Sequence, residues 1–204
     1  MPHKPRANKE KSENGRKSTR WEGFDYRNPG SYFITVCAFE RRHLFGSVID
    51  SRVELSPLGT IVEKAWAEAP LHRPHLKLGA YVVMPNHFHG MLTFLPENPA
   101  FLNSRRSASY GIRSFSTPLS GSVSTAIGAF KAAVTYSHNN LIGHRSTVWQ
   151  RGFHDRVVRS EEEYWRITRY IKANPSRWER DRHNPDRVGE DEFDVWLDLL
   201  GEQE

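Results

Sequence analysis

Residues Val82–Leu92, VVMPNHFHGML, place two histidines on either side of one phenylalanine, and their reading decides the fold. With Asn86 to Phe94 running as a β-strand, side chains alternate between faces. His87, His89, Met91 and Thr93 then share one face, and Phe88, Leu92 and Phe94 the other. Both imidazoles point the same way, at a spacing that suits one divalent metal held from a rigid sheet, and the apolar face opposite gives the strand a reason to be buried. A His-x-His pair acquires meaning only with a further ligand and a chemical partner elsewhere in the chain.

Working outward, Leu76, Leu78, Ala80, Val82 and Met84 alternate as a second strand, and Pro85 and Asn86 turn it back into the histidine strand. Ser31–Phe39, SYFITVCAF, is apolar on both faces and predicts a central strand. Between them, past a polar connector, Pro57 opens a helix to Ala69 with Leu58, Ile61, Val62, Ala65, Trp66 and Ala69 on one buried stripe. A second helix starts near Ser122, with Val123, Ile127, Phe130 and Val134 inward and Lys131 beside them. Thr147–Val158 reads as a turn entering a further strand, anchored by Trp149. Ser160 caps a third helix, with Glu163 completing a capping box and Glu161 and Glu162 favoured by the macrodipole. Pro175 stops this helix at about Asn174.

The 204 residues, 37% hydrophobic and 12% aromatic, suit one domain with tails. One cysteine, Cys37, lies in a strand-like run, so no disulfide framework exists and a reducing compartment is expected. No apolar run is long enough to span a bilayer, and no secretory segment is seen at the N-terminus; the expectation is a cytoplasmic protein, nucleoid-associated when bound to DNA, with no membrane partner. The formal charge of +5 is unevenly placed: up to Arg20 basic residues outnumber acidic ones seven to two, whereas Glu190 to Glu204 holds seven acidic residues and no basic one. The organisation expected is a basic arm over 1–20, a domain over 21–178 with a basic loop at 96–121 carrying Arg105, Arg106 and Arg113, and an acidic tail over 179–204. The tail stretch FDVWLDLL reads either as a short docking helix or as a plug over basic surface.

Residues four apart on a helix share a face, so Tyr170 and Asn174 project together from the last turn of the third helix. A divalent cation held by His87, His89 and the Asn174 side-chain oxygen has three mixed nitrogen and oxygen ligands and open positions for substrate and water. Beside a phenol such a cation suits phosphoryl transfer, with Tyr170 as the nucleophile.

These residues also carry a resemblance. GFDYRNPGSYFITVCA, HLFG, YVVMPNHFHGML, FKAAVT, VWQRGFHDRVVR and RYIKANPSRW, in that order over roughly Arg20 to Trp178, resemble the REP-associated tyrosine transposases and their single-tyrosine relatives, named HUH for His, hydrophobic, His. The chain departs from many relatives at Phe153, His154, Asp155 and Arg156. The resemblance implies an α+β, ferredoxin-like antiparallel β-sheet with packed α-helices. It implies a metal-dependent endonuclease and strand transferase on single-stranded DNA, at hairpins, forming a 5′-phosphotyrosine with Mg²⁺ or Mn²⁺. Matched positions make Tyr170 the nucleophile and His87, His89 and Asn174 the metal ligands.

DNA contact is expected from Gln150, Arg151, Arg156 and Arg159 before the third helix, Arg166, Arg169 and Lys172 on it, and Arg105 and Arg106 in the loop. Two other functions fit the scaffold: a non-catalytic hairpin-binding protein, and a nuclease using bound water with Tyr170 only structural. Monomer and homodimer both remain open.

Overall fold

The computed structural model describes residues 29–96 and 122–201. The basic arm, the loop from 97 to 121 with Arg105 and Arg106, and the last three residues lie outside the described residues.

Among the described residues six strands and four α-helices follow in the order β1 (Gly30–Cys37), β2 (Gly46–Ile49), β3 (Arg52–Leu55), α1 (Pro57–Ala67), β4 (Leu76–Val83), β5 (His87–Phe94), α2 (Val123–Ile142), β6 (His154–Val158), α3 (Glu161–Ala173) and α4 (Glu192–Gly201), with a 3₁₀ segment, Asn174–Arg180, after α3. The main sheet runs β4-β5-β1-β6, and every neighbouring pair in it is antiparallel. A strand, helix, strand, strand, helix, strand sequence in that order is the ferredoxin-like arrangement, so the α+β expectation holds. As its two apolar faces require, β1 is an interior strand. The sequence reading passed over β2 and β3, a separate hairpin whose residues pair from Gly46↔Leu55 to Ile49↔Arg52. Its turn residues Asp50 and Ser51 both have positive φ, 47° and 61°, which matches the right-handed twist of the strands it joins.

The pleat divides the core in two. On one face Tyr32, Ile34, Val36, Phe88 and Leu92 pack under α1 and α2. Here Trp66 lies 4.6 Å from Phe88 and 5.2 Å from Phe130, centroid to centroid. On the other face Phe33 and Met91 meet Ile167, Tyr170 and Ile171 of α3 and Phe193 of α4. The caps follow the sequence. Ser56 accepts from the Gly59 N–H and Ser122 from the Thr125 N–H, and Ser160 accepts from the Glu163 N–H. The second half of the expected capping box is displaced by one residue, since the Glu163 carboxylate accepts from the Arg159 N–H and from the Arg156 guanidinium. Lys131, half-buried on α2, donates to the carbonyls of Gln150 and Gly152, both at 2.7 Å, and so ties the approach to β6 to that helix.

Gly90 follows the histidine pair with its α-carbon under the aromatic cluster. A Cβ there meets the Phe88 and Trp66 rings at 2.7 Å, and both rings are fully buried. A Gly90→Ala change is therefore expected to cost about 1–3 kcal/mol and lower Tm by several degrees. Thermal denaturation checks this, and an unchanged Tm means the two rings move freely.

Candidate active site

Strand register builds the site. Thr35 pairs with His89 and Cys37 with His87, which puts both imidazoles on the α3 face with centroids 4.5 Å apart. Both histidines are buried. Thr35 Oγ1 lies 2.9 Å from His89 Nδ1, which leaves His89 Nε2 facing the Tyr170 hydroxyl at 3.4 Å. His87 Nδ1 is 2.9 Å from Asn86 Oδ1. The Asn86 amide nitrogen donates to the carbonyls of Arg41 and His183, so its oxygen is the acceptor and His87 carries its proton on Nδ1. His87 Nε2 is thus a bare lone pair, buried and without a hydrogen-bond partner, which is the tautomer a metal ligand needs.

The structure brings together three of the four residues expected at the centre in direct terms: His87, His89 and Tyr170. Asn174, at the end of α3, is buried and its Oδ1 has no partner; its amide meets Asp181, whose Oδ2 is 3.6 Å from His87 Nε2. Because His87 is neutral, that approach is not an ion pair. Two residues that the sequence reading did not name complete the cluster. Asp181 accepts the His183 N–H at 2.6 Å, and the His183 ring is 4.4 Å from that of His87 and 5.7 Å from that of His89. The nitrogens of His87, His89 and His183 all lie within 4.8 Å of one another. The sequence signal at His183 was one histidine in a polar stretch without periodicity, which points nowhere until the chain folds back.

Tyr170 is covered. Phe193 of α4 stacks on its ring at 3.7 Å, so the tail is a docked helix over the phenol. Arg177 and Arg182 hold this helix and its approach by pairing with Asp191 at 2.7 Å, Asp194 at 3.0 Å and Asp198 at 2.8 Å. The basic residues expected on DNA divide into two sets. Arg151, Arg159, Arg169 and Lys172 are exposed and Gln150 half-buried. Arg156 is paired with Glu163 at 2.8 Å, and the Arg166 guanidinium sits 4.2 Å above Trp196.

Electrostatics at the cluster are set by burial. Desolvation first, then His183, His89 and Arg41, hold His87 well below the usual imidazole range; desolvation and then Arg182 bring His89 down to about 3. His183 is likewise held well below its usual range, by burial and then His89. Burial pushes Asp181 up to about 6, helped by Asp194 and Asp191 and opposed by the hydrogen bonds from His183 and Asn174. Burial, then Asp181, Asp194 and Asp191, raise Tyr170 well above the usual phenol value.

The fold and the site define an α+β protein with a ferredoxin-like sheet carrying a buried histidine cluster beside a tyrosine. No family model matches the chain. A Haemophilus influenzae protein described as uncharacterized is 31% identical over 171 residues, which cover 82% of this chain and 92% of the relative. The chain belongs to the family of that protein. Among solved structures, it is similar to a REP-associated tyrosine transposase bound to a REP hairpin, at 23% identity and TM-score 0.49, over 77% of this chain and 73% of that one. It is also similar to a Deinococcus radiodurans protein assigned as a transposase, at 16% identity and TM-score 0.38, over 75% of this chain and 95% of that one. No helix among the described residues is long and apolar enough to cross a membrane.

The three depressed imidazoles fix how stability varies with pH. Each binds its proton less readily in the fold than in the unfolded chain, so its contribution is complete above the unfolded value of ~6.5 and is lost as pH falls toward the folded value. Asp181 and Asp194 have the opposite sign, Asp181 losing stability as pH rises from ~3.9 through about 6. Three imidazoles stand against two carboxylates. In EDTA, the urea midpoint is expected to fall between pH 7 and pH 5, and a midpoint that rises over that interval means the carboxylates dominate.

Proposed function

We propose that the chain is a REP-associated tyrosine transposase that nicks and rejoins single-stranded DNA at hairpins, with Tyr170 as nucleophile and His87, His89 and Asn174 as ligands of Mg²⁺ or Mn²⁺. The observation that carries this reading is the Tyr170 hydroxyl lying 3.4 Å from the Nε2 of His89, beside a His87 whose Nε2 lone pair is free. Phenol and paired imidazoles come from opposite halves of the chain, and their assembly in a buried place, costly for polar groups, supports a site in which they act together.

The residues fit a divalent cation. His87 Nε2 and Asn174 Oδ1 are buried acceptors without partners, and a mixed nitrogen and oxygen set leaves room for phosphate oxygens. A bound cation would polarise the scissile phosphate and lower the proton affinity that burial, and then the neighbouring carboxylates, raise at Tyr170. Thr35 and Asn86 orient the two imidazoles through their Nδ1 atoms. The α3 helix fixes the phenol, since Ile167 and Ile171 on the same face are fully buried. In the cleavage step the Tyr170 oxygen bonds to phosphorus as the phosphorus bond to the 3′ oxygen breaks. The phenolic proton ends on that departing oxygen, giving a 5′-phosphotyrosine and a free 3′-hydroxyl. The covalent ester retains the energy of the broken bond, and a second hydroxyl reverses the step to join strands.

Charge supports DNA as the partner. Arg151 before β6, Arg159 just before α3, and Arg169 and Lys172 on α3 are exposed, and phosphate contacts from them would position a strand. For the strand to reach Tyr170, Phe193 must leave its ring. The coverage of Tyr170 by Phe193, and the carboxylates that raise the phenol, favour one second reading, a hairpin-binding protein that does not cleave.

The deciding experiment incubates the full chain with labelled single-stranded hairpins and Mn²⁺ and resolves the products on denaturing gels, with EDTA and Tyr170→Phe as controls. A covalent adduct that needs both metal and Tyr170 is expected, and in Tyr170→Phe it should drop below detection. Binding without an adduct across a broad hairpin panel selects the non-cleaving reading, and cleavage that persists in Tyr170→Phe assigns the chemistry to bound water.

A further inference from the structure

The segment between the 3₁₀ turn and α4 brings a third imidazole to the histidine pair. His183 is buried, 7% exposed, and its main chain is held at both ends: its N–H donates to Asp181 Oδ1 at 2.6 Å and its carbonyl accepts from Asn86 Nδ2 at 2.7 Å, while its ring Nδ1 lies 3.9 Å from Cys37 Sγ. One amide, that of Asn86, therefore orients the His87 ring through its oxygen and holds the His183 main chain through its nitrogen. Outer-shell groups at metal centres fix ligand rings as the Asn86 oxygen fixes His87.

The cluster also carries an excess of acceptors. His87 Nε2, Asp181 Oδ2 and Asn174 Oδ1 are all buried without a hydrogen-bond partner, and each is a lone-pair atom. Burying acceptors against one another is unfavourable unless a proton or a cation lies among them. The separation of 3.6 Å between His87 Nε2 and Asp181 Oδ2 is too long for a good hydrogen bond. It is close to the ~3.4 Å edge of a tetrahedron with ligands about 2.1 Å from its centre.

We propose that His87, His89 and His183 together form a three-imidazole site for a transition-metal cation of the Zn²⁺ type, and that this cation fastens the segment from Asp181 to α4 over Tyr170. Three neutral nitrogens favour Zn²⁺, Co²⁺ or Ni²⁺ over Mg²⁺, which prefers oxygen ligands and keeps its water. The donor set thus depends on the position of the segment. With His183 in place the pair gains a third nitrogen beside Asp181 Oδ2, which lies 3.6 Å from His87 Nε2, and with it withdrawn the pair is left with Asn174 and suits a harder ion. The binding itself does not need Tyr170 to be a nucleophile; its consequence for strand cleavage rests on the function proposed above.

The test titrates Zn²⁺ and Co²⁺ into the metal-free full chain, by calorimetry and visible absorption, with and without millimolar Mg²⁺. Expected are one Zn²⁺ per chain, a Co²⁺ spectrum of low coordination number, little competition from Mg²⁺, and slower amide exchange over 181–201 when Zn²⁺ is bound. His183→Ala and the closer-sized His183→Gln should each weaken Zn²⁺ by more than the ~10–100-fold that loss of an outer-shell partner costs. Tyr170→Phe should bind Zn²⁺ as the unaltered chain does. Should the His183 variants not fold, ¹⁵N-histidine spectra of the unaltered chain decide: three rings shifting with one equivalent of Zn²⁺ supports the site, and two overturns it. Absence of stoichiometric Zn²⁺ binding, or equal affinity in folded His183→Gln, also overturns it. Neither of those results touches adduct formation through Tyr170, and a missing adduct leaves the Zn²⁺ result standing.

Discussion

The pairing of β1 with β5 is the constraint on which the rest depends. Its register sets Thr35 opposite His89 and Cys37 opposite His87, so the strand that supplies the imidazoles and the strand that orients one of them are fixed by the same ladder. A slip of one residue would exchange the faces of β5, sending His87 and His89 into the Trp66 and Phe130 cluster and Phe88 toward Tyr170. The apolar face prevents this. Phe88 packs against both Trp66 and Phe130, and Gly90 leaves the space that the Trp66 and Phe88 rings occupy. Large aromatic contacts on one side of the sheet thereby hold the polar cluster on the other.

That cluster is costly in isolation. Three imidazoles, two carboxamides and a carboxylate are withdrawn from water, and several of their acceptors find no donor. Desolvation is the leading cause of every shift there, lowering the imidazoles and raising Asp181 and Tyr170. All the shifts favour uncharged forms, so the protein presents neutral ligands and a protonated phenol. A cation entering such a place meets lone pairs that need no deprotonation and little reorganisation.

Much of this arrangement was legible in the sequence because it follows from local period and caps. Alternation across Leu76–Met84 and Asn86–Phe94, the stripe on α1 and the Ser160 cap of α3 each specify an element without reference to distant residues. The position of Tyr170 one turn before Asn174 follows from helix geometry alone. The hairpin of β2 and β3 was not legible. Its strands are four residues each, and its turn uses Asp50 and Ser51 rather than an Asn-Gly pair. His183 and Asp181 were not legible for a different reason. They follow a 3₁₀ turn in a stretch with no repeat, and they gain meaning only because Asn86, about a hundred residues earlier in the chain, holds the His183 carbonyl.

The acidic tail shows how charge read from sequence divides between two tasks. Asp191, Asp194 and Asp198 are acidic residues that a linear reading assigns to a solvated end, yet Arg177 and Arg182 bind all three. Asp191 and Asp194 are buried, whereas Asp198 is exposed and adds little to stability. The buried pairs aim α4 so that Phe193 lands on Tyr170. The same carboxylates then raise the phenol they help to cover. Docking of Phe193 and the raised proton affinity of the tyrosine are therefore one contact, because burial leads that shift and the carboxylates that aim the helix add to it.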